Sequence, residues 1–222
     1  MTSDPGAERA ARIDRAVAGL DPAGADAIRR AVAALERGEV VCLPTESSYG
    51  LAADLRSADA LARVTWLKRG RPADSPFPLI AGAIEDARAL ARVWPDAAAR
   101  LAARHWPGPL TLVVPARPEL PPEVVGPGGG VGVRVSSHPL ALALARALGG
   151  PISATSANRA GAPPAATVDD ARAVFGDELD CYLDGGVCDG TPSTVVAVGE
   201  DGAVRVVRRG AIELAEPPAT SE

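Results

Sequence analysis

Five polar clusters in this chain each follow a short apolar run, the place where sheet proteins usually put their chemistry. Pro44-Thr45-Glu46-Ser47-Ser48-Tyr49-Gly50 holds three hydroxyl residues and a phenol in seven positions. Lys68-Arg69-Gly70-Arg71 is basic, and Arg134 interrupts a run of valines. Ser153-Ala154-Thr155-Ser156-Ala157-Asn158 is rich in hydroxyls and ends in an amide, and Ser193-Thr194 precedes Arg208 and Arg209. Hydroxyls and an amide hydrogen-bond a small polar ligand, and separated Arg or Lys sites neutralise phosphate oxygens. Each cluster alone also fits a plain turn or a solvated face. Arg134, flanked by Val131, Val133 and Val135, needs a partner or an opening to water. A structural salt bridge and a ligand answer that need equally well.

Lys68 is the only lysine among 23 basic residues. A coding bias toward arginine explains the rest of the pattern. Lys is a compact point charge and Arg a planar fork, so the surviving lysine marks its own site for attention.

Familiar nucleotide and hydrolase signatures are missing. Arg69 follows the lone lysine, so there is no Gly-Lys-Ser/Thr phosphate loop. Gly126–Gly132 does not satisfy GxGxxG. No GxSxG occurs, and His105 and His138 lack the context of a Ser-His-Asp hydrolase or a His-rich metal site. Cys42, Cys181 and Cys188 form no CxxC pair, which argues against disulfide and zinc frameworks.

The elements that must position these clusters follow from periodicity. Residues 7–37 read as one or two helices, with Ile28, Val32 and Leu35 on one stripe and Gly38 as a stop. Strands are expected at Val40–Leu43, Pro78–Ala81, Leu110–Val114, Val131–Val135, Ile152–Ser153, Cys181–Leu183, Thr194–Val198 and Val204–Val207. Helices are expected from Ser57 to Leu67, at Ile84–Val93, Asp96–His105 and Pro139–Leu148, and from Thr167 to Phe175. The Pro- and Gly-rich stretch RPELPPEVVGPGGG reads as a mobile loop. Helices interleave with strands, but short polar loops join the later strands. The pattern is α/β with a mixed sheet.

At 222 residues the chain suits one domain. A first segment, 1–20, is expected to be a helical extension, 21–212 the main domain and 213–222 a frayed tail. Hydrophobic residues at 47% and charged residues at 23% are a globular balance. No apolar run is long enough to span a membrane, and the first twenty residues lack a signal-peptide core, so a cytoplasmic protein is expected. The net charge of −5 and the 3% aromatic content weigh against nucleic-acid binding driven by overall charge or base stacking.

Taken together, the motifs resemble the YrdC-like family of L-threonylcarbamoyladenylate synthases, from about Ala27 to Ile212. VVCLPTESSYGL is similar to the family's Pro-Thr-(Glu/Asp)-Thr-x-Tyr-Gly-Leu, and LKRGRP to its Lys-x-Arg. HWPGPLTLVV, VGVRVSSHPL, TSAN, STVV and VVRRGAI resemble the remaining motifs in family order. The likeness is to the single-domain TsaC type, because 222 residues leave no room for the C-terminal domain some members carry.

The resemblance implies a YrdC-like twisted mixed sheet flanked by helices around a concave basic cavity. It implies a nucleotidyltransferase that joins L-threonine, bicarbonate or CO2, and ATP into L-threonylcarbamoyl-AMP, releasing pyrophosphate. The product would serve N6-threonylcarbamoyladenosine at position 37 of tRNA, through a separate threonylcarbamoyl transferase complex. By motif position Lys68, Arg71, Ser75, Ser156, Asn158 and Arg208 would hold ATP, with Lys68 and Arg71 catalytic, and Ser47, Arg134 and Ser193 would hold threonine. Mg2+ would travel with ATP and need no protein cage. Binding to tRNA is expected to be weak.

Three departures stand out. Two residues separate Lys68 from Arg71 where the family has one, so either Lys68 or Arg69 fills the motif position. PFPLIAG lacks a histidine some members carry, and Ser47 replaces a threonine. An RNA-binding module and a carbamoyl-adenylate-forming paralogue are the alternatives.

Overall fold

The computed structural model describes residues 4–72 and 74–214. Helix α1, Pro5–Val17, is capped by Asp4, whose carboxylate accepts from Gly6 N, and α2, Pro22–Glu36, by Asp21, which accepts from Gly24 N. In both, a proline opens the first turn, where its missing N–H costs nothing. After β1, Val41–Pro44, and β2, Tyr49–Ala52, comes α3, Ala58–Leu67, capped by Ser57. Then follow β3, Leu79–Ile80; α4, Ile84–Ala89; α5, Asp96–His105; β4, Leu110–Pro115; and β5, Gly130–Arg134. Helix α6, Pro139–Leu148, leads to β6, Ile152–Ser153, and β7, Thr155–Ser156. Helix α7, Val168–Phe175, starts in a reciprocal Thr167–Asp170 capping box. Strands β8, Cys181–Tyr182; β9, Thr194–Val198; and β10, Val204–Arg208, complete the order.

Two mixed sheets result. One runs β7-β2-β1-β8 and the other β10-β9-β4-β5-β3-β6. Alternation along β1 divides the core. Val41 and Leu43 pack with Ile28, Val32 and Leu35 of α2 and Leu144 and Leu148 of α6, in a cluster that α1 joins through Ile13 and Val17. Cys42 faces the other way, with Tyr49, Leu51, Leu61, Val64, Leu67 and Phe175.

Several expectations need correction. β2 and β7 lie inside runs read as turns and loop. α4 ends at Ala89, short of Val93, because Ala91 leaves the helix to bridge Ala116. The loop expected to be mobile is tied down: Pro122–Val124 forms a 3-10 turn, Val124 is fully buried, and Phe77 N donates to Glu123 O. Most of the expected tail, 215–222, lies outside the described residues.

Candidate functional site

A cavity of about 450 Å3 opens between the two sheets. Its lining includes Tyr49, Gly50, Thr155 and Ser156 of the four-stranded sheet and Thr111, Arg134 and Arg208 of the six-stranded one. Among the described lining residues there are four cations, Lys68, Arg71, Arg134 and Arg208, and no carboxylate.

Lys68 sits just past the last turn of α3, where its backbone N–H still donates to Val64 O. Its side chain is buried, and Nζ donates to Ser156 O and Asn158 O, each at 2.8 Å, and to Asn158 Oδ1 at 2.5 Å. Ser156 Oγ donates to the same Asn158 oxygen, while Asn158 Nδ2 donates to Ala162 O. Burial, helped by the nearby Arg71 charge, pulls the ammonium down to about 8. Arg69 does not line the cavity; it stacks on the exposed Trp66 ring at 4.7 Å. Lys68 is therefore the member of the pair that lines the cavity.

Arg71 is fixed from three sides. It donates to Thr155 Oγ1 and to Pro76 O, both at 2.7 Å, and lies 4.8 Å over the Phe77 ring. Across the cavity Arg208 Nη2 donates to Ser193 O at 2.8 Å and to Ser193 Oγ at 3.1 Å. Ser193 Oγ in turn lies 3.0 Å from Thr111 Oγ1. Gly210 permits this corner, since a Cβ there would fall 2.2 Å from Pro192 O. Burial lowers the pKa of both arginines, yet each remains a cation at neutral pH.

Arg134 is 8% exposed and pairs with Glu46, whose second oxygen accepts from Ser136 Oγ at 2.6 Å. Burial lowers its pKa and the Glu46 charge opposes that shift. Of the two answers left open by the sequence the salt bridge is present, and the paired Arg134 also lines the cavity. Glu46 is held in a loop whose backbone touches Gly190, where a Cβ would lie 2.2 Å from Glu46 O.

Of the residues singled out from sequence, Ser47, Lys68, Arg71, Arg134, Ser156, Asn158, Ser193 and Arg208 line the cavity. Ser75 is not among the described lining residues; its N–H closes a turn onto Pro72 O. Sequence reasoning counted Thr45, Ser48, Tyr49 and Thr155 in its polar clusters without an individual role, and gave Thr111 none. Thr111 carried a usable signal, as a polar residue in an apolar strand, the same signal that Arg134 gave. The Tyr49 ring is buried, and its hydroxyl donates to Gly186 O and accepts from Gly185 N. Among the described residues no group of three His, Cys, Asp or Glu side chains is placed to hold a metal ion. No helix there is long and apolar enough to cross a membrane.

Fold and cavity together define an α/β protein whose two sheets enclose a cavity lined by fixed cations and hydroxyls. The Sua5_yciO_yrdC family, described as "Telomere recombination", matches residues 33–210, and the chain belongs to that family. A threonylcarbamoyl-AMP synthase of Halorhodospira halophila is 40% identical over 179 residues, covering 79% of this chain and 92% of the relative. One from Pyrococcus abyssi is 37% identical over 190 residues, covering 85% of this chain; this chain spans 55% of that relative's length. The solved structure of P. abyssi Sua5 complexed with L-threonine superposes with a TM-score of 0.77 at 36% identity, over 82% of this chain and 54% of that one.

Proposed function

We propose that this chain is an L-threonylcarbamoyladenylate synthase, a nucleotidyltransferase of the cytoplasm that uses L-threonine, bicarbonate or CO2, and ATP. The observation that carries the reading is the division of the cavity's charges. Arg134 is held at one place by Glu46, with Arg208 near enough to feel its charge, while Lys68 and Arg71 are held elsewhere by neutral oxygens. A substrate carboxylate fits the first place and a triphosphate the second.

Threonine's amine adds to CO2 with loss of a proton, and a carbamate oxygen then attacks the α-phosphorus of ATP. The bond from that phosphorus to the bridging oxygen breaks, and pyrophosphate leaves with the electron pair. The reaction gathers anions and develops charge on the leaving group, so prearranged cations and donors are the main catalytic requirement. Lys68 and Arg71 would face the phosphates, with Ser156 and Asn158 beside them and Arg208 on the opposite wall. Ser47, Arg134 and Ser193 would orient threonine. Mg2+ would arrive on the phosphates as part of the substrate. The adenylate is a reactive mixed anhydride, and a transferase complex would consume it to modify tRNA.

The test is pyrophosphate release from ATP and Mg2+ by the pure protein, with the adenylate identified by mass spectrometry. Release is expected to require both L-threonine and bicarbonate. Equal release without threonine defeats the assignment, and release supported by carbamoyl phosphate in their place points to the carbamoyl-adenylate reaction. Tight tRNA binding at physiological salt with no adenylate formed would favour an RNA-binding module.

A further inference from the structure

A second cationic pocket lies away from the site just described. Its volume is about 340 Å3, and its walls carry Arg12, Arg15, Arg146 and Asp86. Arg12 and Arg15 belong to α1, which precedes the family-matched residues 33–210. Arg146 is in the last turn of α6 and Asp86 in the first turn of α4.

Two of the three guanidiniums are aligned before any ligand arrives. Arg12 Nε donates to Ala147 O at 3.0 Å, and Arg146 Nε donates to Gly82 O at 2.9 Å. Among the described residues their terminal nitrogens have no hydrogen-bond partner, and Arg15 has neither a hydrogen bond nor an ion pair. Glycines leave the room. A Cβ on Gly149 would lie 2.7 Å from Arg12 Nε, and its φ of +75° already favours glycine. A Cβ on Gly82 would lie 3.0 Å from Arg146 Cγ. Of the nearby carboxylates, Glu36 feels Arg12 but is bound in two-pronged fashion by Arg9. Asp86 forms no ion pair with a described residue.

We propose that this pocket is a binding site for a phosphate dianion, free or as a phosphomonoester. Three guanidiniums against one carboxylate leave two net positive charges. A phosphomonoester brings about −1.5 to −2 at neutral pH and oxygens that match the arginine fork. A nucleic-acid phosphodiester brings one charge per phosphate and fits this balance less well. The site is separate from the catalytic reading above and does not depend on it.

Inorganic phosphate titrated into the full chain, at constant ionic strength, tests this through the arginine Nε–H signals in NMR spectra. Signals of Arg12 and Arg146 resolve this pocket from the main cavity, which Arg71 and Arg208 report. Saturable shifts of Arg12 and Arg146, half complete near or below about 1 mM, are expected. Arg15→Gln should weaken that binding at least about fivefold while leaving pyrophosphate release unchanged. Arg15 makes no bond to a described residue, so this variant keeps the fold even if Arg12→Gln, which loses its tether to Ala147, does not. Shifts that never saturate, that chloride reproduces, or that persist undiminished in Arg15→Gln overturn the proposal. So does saturation by an RNA oligonucleotide without any response to phosphate.

Discussion

The main cavity handles its cations in two ways. Arg134 lies against a carboxylate, and Glu46 and Ser136 complete a closed set of charge-assisted bonds. Lys68 meets three neutral oxygens, one on Ser156 of β7 and two on Asn158 just beyond it, and no anion among the described residues. Arg71 and Arg208 follow the Lys68 pattern, tied by hydroxyl and carbonyl oxygens. A cation already paired keeps its orientation but offers a ligand reduced net charge. A cation held by dipoles alone keeps its full charge for the ligand and is costlier to bury. The first arrangement suits recognition of one carboxylate, and the second suits an approaching polyphosphate.

Removing the anion is the strongest way to break this contrast. Glu46→Ala leaves Arg134 buried without compensation and should cost about 3–5 kcal/mol of stability. If threonine's carboxylate takes up the vacated position, threonine should raise the melting temperature of Glu46→Ala by more than that of the parent. An equal rise in both proteins would mean that Arg134 does not hold that carboxylate.

At the other end, Lys68→Arg should lower the rate at least ~100-fold, about 2.7 kcal/mol of barrier. A planar fork cannot send three bonds from one nitrogen to Ser156 O, Asn158 O and Asn158 Oδ1. Steady-state rates with circular dichroism separate this from misfolding. The same lysine gives a pH signature. Its folded pKa, about 8, lies below the ordinary 10.5, so between those values the unfolded chain holds the proton that the folded protein has shed. The lysine's contribution makes stability rise with pH across that window, while activity that needs the ammonium falls. Lys68→Met should remove that contribution from a denaturation series at pH 7 to 11.

Smaller effects sharpen the picture. Arg71→Ala and Arg208→Ala should each lose about 1.5–3 kcal/mol in kcat/KM, the scale of a charge-assisted hydrogen bond. Arg69→Ala should change the rate less than about twofold and lose roughly 0.5–1 kcal/mol of exposed cation–π contact with Trp66. A dead Arg69→Ala beside a normal Lys68→Arg would exchange the two residues' roles.

Much of this was legible in the sequence because its causes are local. Ser57 and the Thr167–Asp170 pair are start signals that act within three residues, and each one caps a helix. The cavity's cations were readable because they stand in polar loops or interrupt an apolar strand. What stayed hidden is non-local. Glu46 finds Arg134 across 88 positions, and no spacing rule connects them. β2 begins inside a Ser-Ser-Tyr-Gly run with turn composition, and becomes a strand because β1 and β7 pair on its two sides. Val124 anchors a loop whose prolines and glycines suggested mobility, because its side chain is buried in the core. Thr155 gained its part from Arg71, 84 residues earlier.

One peptide joint carries a mechanical meaning. Ser153 ends a strand of the six-stranded sheet and Thr155 begins one of the four-stranded sheet, so the chain changes sheets across Ala154 alone. The cavity sits at that seam and draws walls from both sides. An occupant touching both walls would act as a rivet, making separation of the two sheets costlier while it stays bound. At a hundredfold excess over its dissociation constant, such a rivet adds about 2.7 kcal/mol against opening. That gain belongs to the joint as a whole, so it should slow amide exchange at Leu51 in one sheet and Leu79 in the other by the same factor wherever the seam must part first.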